Sequence, residues 1–334
     1  MTLDTLSTSV GVFTDVSVRT GRLAPDAALP LVVTPAADRV DLGSWLQEHA
    51  APATLALERD GGLLFRGFEV DSPEVFQRIV VALTPQVLDY TERSTPRQRV
   101  SDKVYTSTEY PADQAIPLHN ENSYQHSWPR HIWFYCQHAA ASGGATPIAD
   151  GRRVWHEMDP AVRDRFVEKK VMYLRNYSAS VGLPWREAFQ TDDRKTVETY
   201  CERHGIEYEW RDRDRLRTRQ VRQAMAVHPV TGESAWFNQA HLFHVSSLPV
   251  DLRRALLAVF TDVNELPRQS FYGTGEPIEP ETIDHIQGLY ARLGVVFPWR
   301  NGDVLLLDNM LVAHGRMPFT GPRRVLVSMA TPSA

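Results

Sequence analysis

Residues 302–329 read GDVLLLDNMLVAHGRMPFTGPRRVLVSM. This stretch contains two apolar runs, 304–307 and 325–329, and both are bounded by Asp, Gly or Pro as short buried strands usually are. The first run leads into Asp308 and Asn309, which suit either a turn cap or a functional site at the mouth of the strand. His314 follows at the end of a strand-like segment. The stretch therefore predicts a core of strands with a candidate functional histidine at its edge.

A second stretch, IPLHNENSY at residues 116–124, contains the triplet His119-Asn120-Glu121. Alternate residues of an extended strand point to the same side, so His119 and Glu121 can converge on one metal ion while Asn120 faces away. With His314 they would form a 2-His-1-carboxylate set, which holds Fe(II) on one face and leaves positions open for O2 and other ligands. Alone the triplet is weak, because twelve histidines and 41 acidic residues produce this spacing by chance.

The composition sets broad limits on function. The chain has 334 residues, 43% of them hydrophobic and 23% charged, with a net charge of −5. This balance is ordinary for a globular protein and does not predict a nucleic-acid partner. The two cysteines do not make a disulfide scaffold, and no apolar run approaches the ~18 residues of a membrane span. No secretory signal is recognisable, so we expect a cytoplasmic protein without a membrane partner.

The rest of the chain predicts one domain, 1–334, of strands with flanking helices. Residues 1–30 are polar and rich in Pro and Ala, which favours an irregular N-terminal arm. Residues 152–168 and 192–204 are charged and helix-like, so about 151–225 is predicted to be a helical insertion. Other helices are expected at 41–50, 73–83, 252–260 and 285–293, and other strands at 63–68, 131–138, 146–150 and 235–238.

Arg324 lies ten residues after His314, at the start of the predicted strand 324–328. A cation on a core strand is costly unless it meets an anion, and a guanidinium matches a carboxylate through two parallel hydrogen bonds. A dicarboxylate cosubstrate bound to the metal at one end would need such an anchor at the other. A structural salt bridge would explain the residue equally simply. Strand alternation predicts that the neighbouring Arg323 points the opposite way, to the surface.

Several segments together resemble a known family, the Fe(II)/2-oxoglutarate dioxygenases of the taurine dioxygenase (TauD/TfdA) superfamily, and within it the SyrP-like amino-acid hydroxylase branch. They span roughly residues 60–330. These segments are LLFRGF at 63–68, VYTSTEYP at 104–111, IPLHNENSY at 116–124, GGATPIADGRRV at 143–154, HPVTGESAWFNQAHLFH at 228–244, and the 302–329 stretch.

The resemblance implies a double-stranded β-helix, the jelly-roll or cupin-like core, with flanking helices. It implies that His119, Glu121 and His314 bind Fe(II). It also implies that Thr146 and Arg324 bind 2-oxoglutarate through its distal carboxylate. The chain departs from the taurine enzyme four residues beyond Arg324, where Ser328 replaces a substrate-binding arginine, so a sulfonate held in that way is not expected. Glu121 argues against halogenation, because halogenases of related chemistry carry a small residue at the carboxylate position.

The implied activity is hydroxylation of an unactivated C–H bond of an amino acid in natural-product metabolism. Fe(II) would be the bound metal, 2-oxoglutarate and O2 would be consumed, and succinate and CO2 would be released. The small-molecule substrate could be a free amino acid or one tethered to a peptidyl carrier protein. The same chemistry could instead end in desaturation, cyclisation or epoxidation. Two further classes of protein fit the same residues: a Zn-dependent hydrolase with the same three ligands, and a catalytically silent binding protein.

Candidate substrate contacts lie close to the predicted ligands in sequence. Arg316 follows His314 by two residues, and it could meet a substrate carboxylate or form a salt bridge on the exit turn. The remaining candidates are polar or aromatic residues beside the ligand strand or in the 235–238 segment: Tyr105, Ser107, Glu109, Asn122, Tyr124 and Asn238.

Overall fold

The computed structural model describes residues 13, 15–25, 27–89, 99–101, 103–107, 110–212 and 214–333. The strands are β1 (Val18–Gly21), β2 (Leu31–Pro35), β3 (Gly62–Phe65), β4 (Arg99–Ser101), β5 (Val104–Thr106), β6 (Ile116–His119), β7 (Trp128–His138), β8 (Ser142–Gly143), β9 (Ile148–Asp150), β10 (Val171–Tyr177), β11 (Glu207–Trp210), β12 (Leu216–Arg222), β13 (Met225–Val227), β14 (Ser234–Trp236), β15 (Arg268–Tyr272), β16 (Val304–Asp308), β17 (Val312–Arg316), β18 (Phe319–Thr320) and β19 (Arg324–Ser333). The helices are α1 (Leu42–Glu48), α2 (Ala50–Asp60), α3 (Pro73–Leu83), α4 (Gly151–Glu157), α5 (Pro160–Lys169), α6 (Trp185–Phe189), α7 (Arg194–Arg203), α8 (Ala240–Phe243), α9 (Val250–Val259) and α10 (Pro280–Leu293).

The core is an eight-stranded sheet in the order β1-β2-β3-β16-β7-β19-β5-β4, and a smaller sheet in the order β6-β17-β9. Side chains of alternate residues of β16 pack into two different hydrophobic clusters. Leu305 and Leu307 join the cluster that includes Ile148 and Val312 of the small sheet. Leu306 joins the cluster on the opposite side. The mainly β architecture with flanking helices therefore agrees with the sequence prediction.

Helices α1, α2 and α3 cover the outer side of the large sheet. Trp45 of α1 and Phe76 of α3 are buried there with Trp133 of β7. The side chain of Asp41 accepts the amide of Ser44 at the start of α1, which satisfies one amide of the first turn. Among the residues that the structure describes, no helix is long and apolar enough to cross a membrane.

The segment 151–225 differs from the expected helical insertion. It contains the helices α4 to α7, but it also contributes β10, β11 and β12, which join β15 in a four-stranded sheet of order β11-β12-β10-β15. The strand β10 reads VMYLRNY, and four of its seven residues are buried apolar side chains: Val171, Tyr173, Leu174 and Tyr177. This strand was not predicted because the segments on both sides of it are charged and have helical patterns.

The prediction of an irregular arm over residues 1–30 is wrong for residues 18–21. Residues 18–21 form β1, which pairs antiparallel with β2 in the register Val18 to Pro35. Residues 1–12, 14 and 26 lie outside the described part of the chain.

Candidate active site

The strand β17 brings two predicted ligands together. His314 is the direct cross-strand partner of His119 on β6, and the centroids of the two imidazoles lie 4.6 Å apart. A carboxylate oxygen of Glu121 lies 3.8 Å from Nε2 of His314. One ligand atom from each of the three side chains falls within 4.8 Å of the other two. The convergence predicted from the sequence is therefore present among the described residues.

The reason for that convergence is not simple strand alternation. The strand β6 ends at His119, and Glu121 begins a turn. In this turn Asn122 has a φ of 57°, a left-handed conformation that asparagine tolerates better than most residues. The turn redirects the chain, and Glu121, which is 3% exposed, places its carboxylate beside the two imidazoles.

A hydrogen bond orients the imidazole of His119. Nδ1 of His119 lies 2.8 Å from the carbonyl oxygen of Pro117, so it donates there and Nε2 is the nitrogen that lacks a proton. The buried Nδ1 of His314 has no hydrogen-bond partner among the described residues. Two imidazoles and a carboxylate on one side of a centre, with space on the other, are the donor set that suits Fe(II).

Asn309, in the turn between β16 and β17, holds the ligand-bearing turn. Its Oδ1 accepts the amide of Glu121 at 2.7 Å, and its Nδ2 donates to the Glu121 carbonyl at 3.0 Å. Asn120 donates to the carbonyl of Asn309 at 2.7 Å. All three residues are buried, so these bonds fix the backbone on both sides of the carboxylate ligand.

Asp308, next to Asn309, has the turn-capping role. Its carboxylate accepts the amide of Met310 at 2.9 Å and a hydrogen bond from Nε2 of His228 at 3.0 Å. Burial acts to raise the pKa of Asp308, but the His228 bond and the neighbouring His131 and Arg130 outweigh it and lower that pKa. For Asp308 and Asn309 the sequence allowed either a turn cap or a role in a functional site. In the structure Asp308 caps the turn, and Asn309 holds the backbone of Glu121.

A narrow pocket of about 40 Å³ opens from the two histidines. Thr146 lies along it, and its Oγ1 accepts a hydrogen bond from Nε1 of Trp299 at 3.0 Å. The Thr146 hydroxyl therefore keeps its own proton to donate to an anion. Ser107 and the cationic side chains of Arg316 and Arg323 also line the pocket.

The prediction that Arg324 faces the site and Arg323 the surface is wrong. Arg324 is exposed, whereas Arg323 lines the narrow pocket and donates through Nε to the carbonyl of Gly144 at 2.9 Å. Strand alternation fails here because Arg323 precedes β19 and the pairing register shifts between Arg324 and Val325. Burial, and then the charge of Arg316, lower the pKa of Arg323 to about 10. Within the described residues Arg323 has no carboxylate partner, so the pocket is suited to an anion.

Arg316 serves the pocket indirectly. It is 6% exposed and donates to three backbone carbonyls, those of Tyr110, Pro111 and Gln114, at 3.0, 2.6 and 2.8 Å. Among the described residues no acidic side chain pairs with Arg316, so the predicted salt bridge on the exit turn is not formed there. Arg316 thus fastens the 110–114 loop and adds positive charge beside Arg323.

A wide cavity of about 450 Å³ lies on the other side of the ligands. His119 and Glu121 reach it, together with the predicted contacts Asn122 and Tyr124. Its remaining wall is largely apolar. Further lining residues that were not predicted from the sequence come from the 175–183 and 242–268 segments: Arg175, Tyr177, Leu183, Leu242, Phe243, Leu252, Leu256 and Arg268.

Two predicted substrate contacts line neither space. Tyr105 packs in the core between the sheets, and its hydroxyl donates to Asp89 at 3.3 Å. Asn238 is fully buried, donates to the Ala224 carbonyl and accepts the amide of Ala240, so it shapes the loop before α8. Glu109 lies outside the described residues.

Residues 27–330 match the family model described as taurine catabolism dioxygenase TauD, TfdA family. The chain belongs to this family. The dapdiamide synthesis protein DdaC of Enterobacter agglomerans is 43% identical over 309 residues, which cover 92% of each chain. A clavaminate synthase-like protein of Arabidopsis thaliana is 30% identical over 287 residues, 82% of each chain.

Among solved structures, PvcB of Pseudomonas aeruginosa, described as an Fe, alpha-ketoglutarate dependent oxygenase from an isonitrile synthetic pathway, superposes with a TM-score of 0.55 at 15% identity. The match covers 95% of this chain and 93% of PvcB, and it confirms the predicted jelly-roll fold. This TauD/TfdA protein is an Fe(II)/2-oxoglutarate-dependent dioxygenase that uses O2.

Proposed function

We propose that this dioxygenase hydroxylates an unactivated C–H bond of an amino acid or amino-acid-derived group in specialised metabolism, releasing succinate and CO2. The observation that carries the proposal is the position of the ligand cluster. His119 borders both the narrow cationic pocket and the wide cavity, so the metal would contact a cosubstrate on one side and a substrate on the other. The similarity to a dapdiamide synthesis protein supports the choice of amino-acid chemistry.

In this proposal His119, Glu121 and His314 hold Fe(II). Bound iron supplies the activation of O2 that is coupled to decarboxylation of 2-oxoglutarate. Asn309 keeps Glu121 in place through the two backbone hydrogen bonds, and the Pro117 carbonyl fixes the proton on Nδ1 of His119.

The distal carboxylate of 2-oxoglutarate is assigned to Arg323 and Thr146. Arg323 supplies the positive charge, and Thr146 supplies a hydroxyl proton because its oxygen already accepts from Trp299. Arg316 adds positive charge beside Arg323, while its two terminal nitrogens donate to the loop carbonyls. Phe134, Val325 and Val327 complete the pocket wall and exclude water, which strengthens these charge interactions.

The proposal covers a free amino acid and one tethered to a peptidyl carrier protein. The wide cavity, at about 450 Å³, has the dimensions of a typical small-molecule site. The residues on its wall orient the substrate C–H bond relative to the metal. Desaturation or cyclisation would use the same iron and 2-oxoglutarate residues and would differ only in the product.

The test is succinate formation from 2-oxoglutarate in the presence of Fe(II), ascorbate and O2, across free amino acids and carrier-bound aminoacyl groups. We expect one substrate to stimulate succinate and to gain the mass of one oxygen atom. A product two mass units lighter than the substrate would replace hydroxylation by desaturation. Failure of the iron-loaded protein to bind 2-oxoglutarate without O2 would contradict the proposal, and substrate turnover without O2 would favour a hydrolase.

A further inference from the structure

The wall of the wide cavity carries two arginines on neighbouring strands. Arg175 on β10 and Arg268 on β15 are direct cross-strand partners in an antiparallel pair. Both line the cavity. Residues in that relationship have Cβ atoms about 5 Å apart on the same face of a sheet. The fold therefore places two arginine side chains next to each other on a wall of the cavity that His119 and Glu121 also reach.

The surroundings of the two side chains differ. The guanidinium of Arg175 lies over the rings of Tyr177, at 4.7 Å, and Tyr124, at 5.9 Å, and Tyr124 lies three residues beyond the ligand Glu121. Arg268 lies 5.6 Å from the ring of Phe243 and remains accessible through the cavity. Within the described part of the chain, Arg268 has no carboxylate partner and donates no hydrogen bond.

Much of the remaining wall is apolar. Leu242, Leu252, Leu256 and Leu266 line the same cavity as the two arginines. Glu121 is the acidic residue among the described lining residues, and it belongs to the ligand cluster. An apolar cavity with a small number of polar groups at one end is typical of a site that fixes the orientation of one small ligand.

We infer that Arg268, with Arg175 beside it, binds a carboxylate of the substrate and thereby sets which C–H bond reaches the metal. This inference rests on the proposed function and narrows it to substrates that carry an anionic group together with an apolar part. Arg316, the candidate from the sequence, does not suit this role, because it lines the narrow pocket and not the wide cavity, and both of its terminal nitrogens donate to loop carbonyls. A guanidinium fits a carboxylate through paired hydrogen bonds, which gives both affinity and direction.

The test uses the full chain loaded with Mn(II) and N-oxalylglycine, so that the narrow pocket is filled and Arg323 is occupied. The probes are the N-acetyl derivatives of leucine, phenylalanine and glutamine, each as the carboxylate and as the uncharged primary amide. Isothermal titration gives the affinity ratio of acid to amide. We expect at least one acid to bind roughly ten-fold or more tightly than its amide, the ratio for a charge-assisted hydrogen bond in a partly buried site.

Arg268→Gln should reduce that ratio to about two or less, while Arg268→Lys keeps the charge and should retain part of it. Arg254→Gln is the matched control, because Arg254 is an exposed arginine of α9 with a 77% exposed side chain.

Equal affinities of acid and amide for all three pairs, absence of binding by every acid, or a ratio unchanged in Arg268→Gln would each overturn the inference. These outcomes concern the wide cavity alone. Failure of N-oxalylglycine to bind the wild-type protein would contradict the proposed function instead. The two failures are therefore distinguishable in one set of titrations.

Discussion

Replacing Arg323 with glutamine should remove the anchor for 2-oxoglutarate and leave the metal ligands intact. Arg323 lines the narrow pocket and is held by one hydrogen bond to Gly144, whereas Arg324, its neighbour in sequence, is exposed. The two positions form a matched pair with the same residue type and the same substitution. They differ only in whether the side chain enters the pocket.

The expected size of the effect follows from the charge pair. Removing one partner of a buried, hydrogen-bonded charge pair costs about 2–5 kcal/mol, and 1.4 kcal/mol corresponds to a factor of ten in affinity. Thr146 and Arg316 would still act on the ligand, so the lower end applies. We expect Arg323→Gln to raise the Kd of 2-oxoglutarate by roughly 30-fold or more, and Arg324→Gln to raise it by about two-fold at most.

The assay is anaerobic titration of the Fe(II)-loaded variants with 2-oxoglutarate, followed by the metal-to-ligand charge-transfer absorption. Iron content, measured separately, should match the wild type in both variants because neither arginine belongs to the ligand cluster. The reasoning is refuted if Arg324→Gln loses affinity while Arg323→Gln does not. That result would mean that Arg324, as simple alternation requires, is the side chain that enters the pocket.

Three further outcomes are expected. Asn309→Ala should weaken Fe(II) affinity by about 10–100-fold in a metal titration, because it frees the backbone on both sides of Glu121; an unchanged affinity would remove its positioning role. Burial lowers the pKa of His131 and of His241 to about 4, so the folded state favours their neutral forms, and stability that is complete above pH 6.5 should be lost as the pH falls towards 4. Urea unfolding should show a loss of about 2–3 kcal/mol per histidine at about pH 4.5, and a flat profile from neutral pH to there would contradict the assigned burial. Burial raises the pKa of the Cys136 thiol to about 12, so a thiol reagent should label the native protein slowly and the unfolded protein at once.

The proposed metal ligands could be predicted from the sequence because their residue types and spacing are recognisable without knowing how the chain folds. A histidine, a glutamate two residues on and a distant histidine suffice to suggest one centre. The structure places the distant histidine directly opposite the first one, in the register of β17 with β6. The turn at Asn122 could not be predicted in the same way. Asn122 is left-handed, and the hydrogen bonds that hold this turn come from Asn309, which is distant in sequence.

Strand alternation alone did not identify the arginine that we propose for the cosubstrate. Alternation assigns sides correctly only while strand pairing is regular, and one shift at the start of β19 exchanged the roles of Arg323 and Arg324. The arginine pair of the wide cavity was missed for another reason. Arg175 and Arg268 are 93 residues apart (268 − 175), and only the pairing of β10 with β15 makes them neighbours.

The pairing of β6 with β17 also has a consequence for how the enzyme is made. His119 and His314 are separated by 195 residues (314 − 119), and His314 is supplied by the strand that also aligns the site. During synthesis, a chain that already contains His119 and Glu121 therefore lacks β17 and His314 until the intervening residues have been added. With the proposed ligand set, we expect iron uptake to wait until β17 has been made, because a site of this kind is completed only in the folded chain.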